Sequence, residues 1–162
     1  MKDIISLYHG CSLEAAKNIT QQGVDTKVLK RRDAGDFGLG FYLTSSPIRA
    51  STFGAYLVEC QIVSRNLAYI KNPYFLIGLN EVAPKTPIEK TFHRLVFADG
   101  VMRTVAGSME ENLTFARRVH EEFILAGFSG ITTGHKGAET VIFNPEAIVS
   151  TRMVKSPAFA GL

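Results

Sequence analysis

The stretch of sequence that decides the fold is Gly38-Leu39-Gly40-Phe41-Tyr42-Leu43-Thr44. Two glycines in front of a strand are typical of a bulge or of close packing between backbone segments. Side chains alternate along a strand, so Phe41 and Tyr42 point to opposite faces, and one ring can join the core while the other lines a cleft. Tyr42 can then stack on a planar heterocycle. Core packing alone also explains an isolated Phe-Tyr pair.

A histidine followed by a glycine ends the first apolar segment, in the sequence Tyr8-His9-Gly10. A glycine lets a ligand approach the backbone closely, so the N–H and C=O of Gly10 can pair with a carboxamide such as that of nicotinamide. An imidazole nitrogen of His9 can bond a ribose hydroxyl. The alternative interpretation is a structural histidine at a strand end.

A carboxylate, Glu139, opens the otherwise apolar segment 139–143, after a polar segment that contains several glycines. A carboxylate at the rim of a cleft suits the stabilisation of positive charge on a sugar ring. A solvated strand end is the alternative. Taken together, His9, Tyr42 and Glu139 form a candidate set for holding a dinucleotide and breaking a glycosidic bond.

The amino-acid composition limits the classes of protein to which the chain can belong. The chain has 162 residues, of which 46% are apolar and 20% charged, as expected for one soluble globular domain. No apolar run reaches the roughly 18 to 20 residues of a membrane helix, so no membrane partner is expected. The two cysteines form neither a metal-ligand spacing nor a disulfide framework, which favours a cytoplasmic location. The net charge of +3 is too small to indicate nucleic-acid binding.

The polar segment 27–37 contains a local cluster of basic residues, namely Lys27, Lys30, Arg31 and Arg32. A charge cluster of this kind is either a solvated loop or a contact for phosphate groups. The sequence leaves both interpretations open.

The hydrophobic pattern predicts an α+β domain. Helical spacing and capping residues predict helices at 13–19, 47–53 and 109–126. Apolar runs predict strands at 3–8, 40–44, 56–63, 131–133, 139–143 and 149–154, with further short apolar runs at 67–70 and 74–79. Short strands without regular βαβ alternation favour α+β. We expect one domain over residues 1–155 and a loose C-terminal tail over 156–162, while residues 80–108 contain no motif.

The chain resembles the ADP-ribosyltransferase superfamily, of the His-Tyr-Glu type shared by diphtheria-toxin-like and poly(ADP-ribose)-polymerase-like catalytic domains. It is most similar to small bacterial and phage-encoded members. The matching pieces are residues 7–10, 36–44, 50–53 and 139–145, which span nearly the whole chain in the family's order. The resemblance implies a split β-sandwich of two small antiparallel sheets with flanking helices, and NAD in the cleft between the sheets.

The resemblance also implies roles for individual residues. His9, Tyr42 and Glu139 would be catalytic. His9 would bond the adenosine ribose, and Tyr42 would stack on the nicotinamide ring. Glu139 would bond the 2′-hydroxyl of the nicotinamide ribose and stabilise the oxocarbenium ion. The Gly10 backbone would clamp the carboxamide, and Phe53 would be a second stacking aromatic.

Further NAD contacts follow from the same resemblance. The family's helix serine, which bonds the carboxamide, aligns nearer Ala50, so Ser51 would serve from a shifted register. Arg31 or Arg32 would meet the pyrophosphate.

One position departs from the arginine-modifying relatives. They carry Glu two residues before the catalytic Glu, and asparagine-modifying relatives carry Gln there, whereas this chain has Gly137. Arginine-modifying relatives also use an N-terminal arginine where this chain has His9. The acceptor is therefore not expected to be a protein arginine. A single carboxylate without a dedicated general base suits a self-activating acceptor, such as a carboxylate, a terminal phosphate or a nucleobase amine.

The expected function is NAD-dependent mono-ADP-ribosyl transfer to a macromolecular acceptor, a protein or a nucleic acid, with NAD as co-substrate and no metal. A toxin, a phage-encoded modifier or a defence protein fits so compact a chain, and an antitoxin or immunity protein would be a further partner. The alternatives are an NAD glycohydrolase, an RNA 2′-phosphotransferase of related fold, and a catalytically degenerate nucleotide-binding module.

Overall fold

The computed structural model describes residues 3–26, 34–35, 38–70, 90, 109–133 and 139–157. Several predictions fall outside these ranges: the basic cluster with Arg31 and Arg32, the run at 74–79, Gly137, and most of residues 80–108. The same holds for the end of the C-terminal tail, residues 158–162. Its predicted looseness and the domain boundary at 155 stay predictions.

The described residues form nine strands and three α-helices, which confirms the α+β class. The strands are β1 Ile4–Cys11, β2 Ala34–Gly35, β3 Gly38–Leu39, β4 Phe41–Thr44, β5 Tyr56–Val63, β6 Leu67–Ile70, β7 Gly130–Thr133, β8 Glu139–Ile142 and β9 Ile148–Val154. The helices are α1 Leu13–Gln22, α2 Pro47–Ser51 and α3 Met109–Leu125, with a short 3-10 helix at Pro145–Ala147. None of these helices combines the length and apolar character needed to cross a membrane.

Local sequence signals set the helix ends. The Ser12 hydroxyl accepts a hydrogen bond from the Ala15 N–H at 3.2 Å and caps α1. Gly23 ends this helix with a φ of 80°, a conformation that glycine adopts without steric cost. The Ser46 hydroxyl caps α2 in the same way, by accepting from the Arg49 N–H at 3.2 Å. α2 therefore begins within three residues of the end of β4, which keeps it beside that strand.

Seven of the strands form one mixed sheet in the order β6-β7-β8-β4-β1-β5-β9, and β2 pairs with β3 in a separate two-stranded ribbon. β6 and β7 are parallel, while the other neighbours are antiparallel. β1 and β5 pair along their whole length, from Ile4↔Val63 to Cys11↔Tyr56. The sequence pattern predicts a loop over residues 27–37. Strand β2, which lies within that range, differs from this prediction.

The predicted division into two small antiparallel sheets is wrong for the described residues. β1 and β4 share a single register pair, Tyr8↔Thr44, and this pair joins β6-β7-β8-β4 to β1-β5-β9. One hydrophobic cluster crosses this junction, because Leu7 of β1 packs with Phe41 and Leu43 of β4. Two separate sheets would expose unpaired strand edges and divide that cluster, so the joined sheet is the favourable arrangement.

The sheet has a buried cluster on each face. On one face, Val119 and Phe123 of α3 pack against the β6, β7 and β8 strands. On the other face, Ala16 of α1 packs with buried residues of β1, β4 and β5. The cluster that contains Ala16 therefore spans the narrow junction between β1 and β4, whereas the cluster beneath α3 contacts β4 through Tyr42.

An ion pair at the opposite edge of the sheet contributes pH-dependent stability. Arg152 of β9 donates a hydrogen bond to the carboxylate of Glu59 on β5, and Glu59 is only 7% exposed. This hydrogen bond lowers the pKa of the Glu59 carboxyl from its ordinary value of 4.5, against the opposing effect of burial, and Ser6 and Tyr8 also bond it. The charged carboxylate is thus favoured in the folded state.

We expect Glu59→Gln to lower the free energy of unfolding most strongly at neutral pH. Because the folded-state pKa is depressed, the stabilisation is complete above the unfolded value of 4.5 and is lost as pH falls through the lower folded value. Urea denaturation at neutral pH and at successive values below 4.5 measures this. A difference from wild type that stays constant with pH would contradict it. Glu121→Gln, on the exposed surface of α3, is the control.

Candidate functional site

The register of three central strands brings two of the three predicted catalytic residues to one face of the sheet. Thr44 of β4 pairs with Glu139 of β8, and Tyr42 pairs with Val141. Residues paired across antiparallel strands point to the same face. Glu139 is two residues before Val141, so Tyr42 and Glu139 are diagonal neighbours on one face, with their Cα atoms about 7 to 8 Å apart. Since Tyr8 pairs with Thr44, the adjacent His9 lies at the same junction.

The His9 ring connects β1 to β4 just beyond the single register pair. Its Nδ1 lies 2.8 Å from the carbonyl oxygen of Tyr42. A carbonyl oxygen only accepts hydrogen bonds, so Nδ1 carries the proton, and Nε2 of the neutral ring is an acceptor. The ring also packs against Phe41, with 4.4 Å between ring centroids. The orientation and the tautomer of His9 are thus set by β4.

The Tyr42 ring is held by the segment that precedes it. Its hydroxyl donates to the carbonyl oxygen of Gly38 at 2.7 Å, and the half-buried ring packs against the cluster beneath α3. Gly38 has a φ of 108°, and a Cβ there would lie 2.8 Å from Cγ1 of Val119. Only glycine combines this backbone conformation with so close an approach to α3. The position of the Tyr42 ring therefore depends on Gly38.

A histidine that the sequence analysis did not single out supports the same segment. His120 of α3 donates from Nδ1 to the carbonyl oxygen of Leu39 at 2.7 Å, and its ring lies 5.1 Å from that of Phe143. The carbonyl groups of Gly38 and Leu39 are therefore both bonded by aromatic side chains. His120 follows the buried Val119 in the predicted helix 109–126, and this place beside a core residue is the signal that could have identified it.

Gly10 is the point at which α2 packs onto β1. A Cβ at this position would lie 1.8 Å from the Ala50 carbonyl oxygen and 3.3 Å from the Gly54 backbone nitrogen. Gly54 in turn leaves no room for a side chain, because its Cβ would lie 2.5 Å from the Cys11 backbone. α2 thus covers one side of Gly10.

The other predicted NAD contacts on α2 and the turn after it differ in exposure. Ala50 is 1% exposed and faces β1, whereas Phe53 is 68% exposed at the surface. The Ser51 hydroxyl donates to the Ile48 carbonyl oxygen at 2.6 Å, so its proton is used within the helix and the oxygen remains an acceptor. In the predicted contact with a carboxamide, the Ser51 oxygen would therefore accept a hydrogen bond from the amide N–H of the ligand. Arg31 and Arg32 lie outside the described residues.

Glu139 has a cationic neighbour that the sequence analysis missed. Nη2 of Arg49 on α2 lies 3.9 Å from Oε1 of Glu139, and the two side chains are 50% and 31% exposed. This distance is longer than a hydrogen bond, and exposed ion pairs in general contribute only about 0 to 1 kcal/mol. The signal that could have identified Arg49 is its place in the helix directly after β4, the strand that pairs with Glu139.

Glu139 and Glu59 belong to one register row that crosses five strands. Its members, in strand order, are Arg152, Glu59, Tyr8, Thr44 and Glu139. Neighbouring strands are about 4.8 Å apart, so the two carboxylates, three strands apart, are separated by roughly 14 Å. Each of these carboxylates has its own arginine, and Glu59 is not part of the candidate site.

Neither cysteine is suited to nucleophilic chemistry. Burial, with smaller contributions from Cys11 and Glu59, raises the pKa of the Cys60 thiol to about 12, and burial also raises the pKa of Cys11. The reactive form of cysteine is the thiolate. Within the described ranges, no group of three or more His, Cys, Asp or Glu side chains could hold a metal ion. The expectation of no metal stays a prediction.

Comparison with known proteins assigns no family. No protein-family model matches the chain, and no curated protein matches it. Among solved structures, a crystal structure of an anti-CRISPR protein is 14% identical with a TM-score of 0.42, over 93% of this chain and 96% of that chain. At this level of similarity the neighbour carries no conclusion about fold family or function.

Proposed function

We propose that this protein is an NAD-dependent mono-ADP-ribosyltransferase that cleaves the nicotinamide glycosidic bond and transfers ADP-ribose to a macromolecule. The observation that carries the proposal is the register of β1, β4 and β8. Tyr42 and Glu139 are diagonal neighbours on one face of the sheet. Alternation directs the His9 ring to the other face, where its Nδ1 bonds the Tyr42 carbonyl oxygen at the junction of β1 and β4. The three residues are 33 and 97 positions apart in sequence.

Glu139 is the charge-stabilising group of the proposed reaction. The bond between the ribose C1′ and the nicotinamide nitrogen breaks, and its electron pair leaves with nicotinamide. Positive charge then develops on the ribose ring, and a carboxylate held beside the ring stabilises that charge. A nucleophilic atom of the acceptor forms the new bond to C1′ and releases its proton to solvent.

His9 and Tyr42 orient the substrate. Because Nδ1 of His9 donates to the Tyr42 carbonyl oxygen, Nε2 is the atom that accepts a ribose hydroxyl. The Tyr42 ring is fixed through its hydroxyl at Gly38 and offers its face to the planar nicotinamide ring. Phe53, exposed in the turn after α2, supplies a second aromatic surface for the ligand.

NAD glycohydrolysis is the second candidate, in which water replaces the macromolecular acceptor. The observation that favours it is the exposure of Glu139, whose side chain is 31% accessible in the described structure. A carboxylate that water reaches can also guide a water molecule to C1′. The two functions share the first bond cleavage and differ only in the acceptor.

Incubation with NAD labelled in its ADP-ribose part, with and without cell extract, tests the proposal. We expect the label to move to a macromolecule when extract is present, and protease or nuclease treatment to show whether protein or nucleic acid carries it. Label that stays as free ADP-ribose, at the same rate with and without extract, establishes the glycohydrolase instead. NAD binding without nicotinamide release would leave only a binding module, and no binding at all would overturn the proposal.

A further inference from the structure

Arg49 combines a fixed backbone with a side chain directed at the proposed catalytic carboxylate. Its N–H is bound to the Ser46 hydroxyl at 3.2 Å, and its position on α2 is held by the packing of Ala50 on Gly10. Its guanidinium lies 3.9 Å from Glu139, beyond hydrogen-bond distance. The charged groups of this pair are exposed to solvent, while the helix that carries Arg49 is anchored.

This ion pair opposes the proposed chemistry if it persists during bond cleavage. A guanidinium beside the developing oxocarbenium ion raises the energy of the transition state, because two positive charges a few ångströms apart repel each other. It also neutralises the carboxylate that stabilises the cation. An exposed ion pair contributes little stability, so the guanidinium can exchange the carboxylate for another anion. The substrate itself can supply such an anion, because NAD carries two phosphates joined as a pyrophosphate.

We infer that Arg49 binds the pyrophosphate of NAD, an inference that rests on the proposed function. The pyrophosphate is attached to the 5′ carbon of the same ribose whose 2′-hydroxyl Glu139 would bond, so a long arginine side chain beside Glu139 is close to both. The planar guanidinium fork matches two phosphate oxygens with parallel, charge-assisted hydrogen bonds. Without substrate Arg49 pairs with Glu139. With NAD bound, the phosphate takes its place, and Glu139 is left for the ribose.

Arg49→Gln tests the inference through ligands that differ in their phosphate groups. We expect the affinity for NAD and for ADP-ribose, measured by calorimetry, to fall about tenfold to a hundredfold, the usual effect of losing charged hydrogen bonds. The affinity for nicotinamide riboside, which has no pyrophosphate, is expected not to fall. In turnover, KM for NAD rises while kcat at saturating NAD is retained, because Glu139 keeps its charge.

Two control variants separate the phosphate contact from a general loss of charge. Arg49→Lys keeps the charge without the planar fork and is expected to give an intermediate affinity for ADP-ribose. Arg65→Gln removes an exposed arginine from the turn after β5, at the Ile4 end of β1 and away from Gly10. It is expected to bind all three ligands like the wild type. Thermal unfolding of each variant verifies that it is folded.

Three results would overturn the inference. NAD affinity that is unchanged in Arg49→Gln, with wild-type binding present, refutes it and leaves the proposed function standing. An equal loss of affinity for NAD and for nicotinamide riboside in Arg49→Gln shows that Arg49 contacts the nicotinamide ribose end of NAD and not the pyrophosphate. Absence of NAD binding by the wild-type protein removes the proposed function and this inference together.

Discussion

Glu139→Gln is expected to slow nicotinamide release from NAD by about a hundredfold or more. Glutamine has nearly the shape of glutamate and keeps an oxygen that accepts a ribose hydroxyl, but it lacks the negative charge that stabilises the cationic transition state. The interaction that is lost exists mainly in the transition state, so kcat falls while the affinity for NAD changes little. Initial rates of nicotinamide release at saturating NAD, followed by chromatography, measure the effect.

The control for Glu139→Gln is Glu146→Gln, an equal charge change at an exposed position in the short 3-10 helix that follows β8. It is expected to keep the wild-type rate. Thermal unfolding of both variants is expected to match the wild type closely, because the Arg49–Glu139 pair is exposed to solvent. A Glu139→Gln protein that releases nicotinamide at full rate would falsify the catalytic assignment of this residue.

Gly10→Ala is expected to destabilise the fold by about 1 to 3 kcal/mol and to lower turnover by about a hundredfold, the usual result of a misplacement of about 1 Å at a site. The added Cβ would lie 1.8 Å from the Ala50 carbonyl oxygen, which belongs to the backbone and cannot rotate away. α2 must therefore move off β1. Arg49 precedes Ala50 in the chain and Phe53 follows it closely, so both side chains would move with α2.

Urea denaturation and initial rates, both measured at a temperature where the variant is folded, test Gly10→Ala. The control is Ile62→Val, a fully buried residue at the other end of β5, whose loss of a methylene costs about 0.5 to 1.5 kcal/mol. It is expected to keep full activity, since it lies away from α2. Equal activity of the two variants at equal stability would show that the position of α2 does not matter for turnover.

Structural features that depend only on residues close together in sequence could be predicted. The strand predicted at 56–63 is observed with those bounds, and the apolar run at 67–70 is observed as a strand, because alternation and apolar runs are local signals. α3 ends at Leu125, one residue before the predicted end, since Gly127 is close behind it with a φ of 87°. The α+β class follows from such elements and is confirmed. The roles of His9, Tyr42 and Glu139 in catalysis stay predictions.

Features that depend on strand pairing were not predictable from local patterns. The resemblance implies two sheets, yet the single register pair between Tyr8 and Thr44 joins the strands into one. The parallel pairing of β6 with β7 has no signature in either segment, because the two are separated by about 60 residues of chain. Pairing between distant strands is decided by burial of the whole sheet.

By itself, the sequence determined where most of the helices and strands lie, because caps, glycines and hydrophobic periodicity act over a few residues. It also determined which side chains could carry chemistry. Only the tertiary structure decided which of them meet: the His9 ring bound to the Tyr42 carbonyl oxygen, Tyr42 diagonal to Glu139, and Arg49 beside that carboxylate. The physical reason is that these contacts follow from the register of β1, β4 and β8 and from the packing of α2 on Gly10. Both are set by the burial of side chains far apart in sequence.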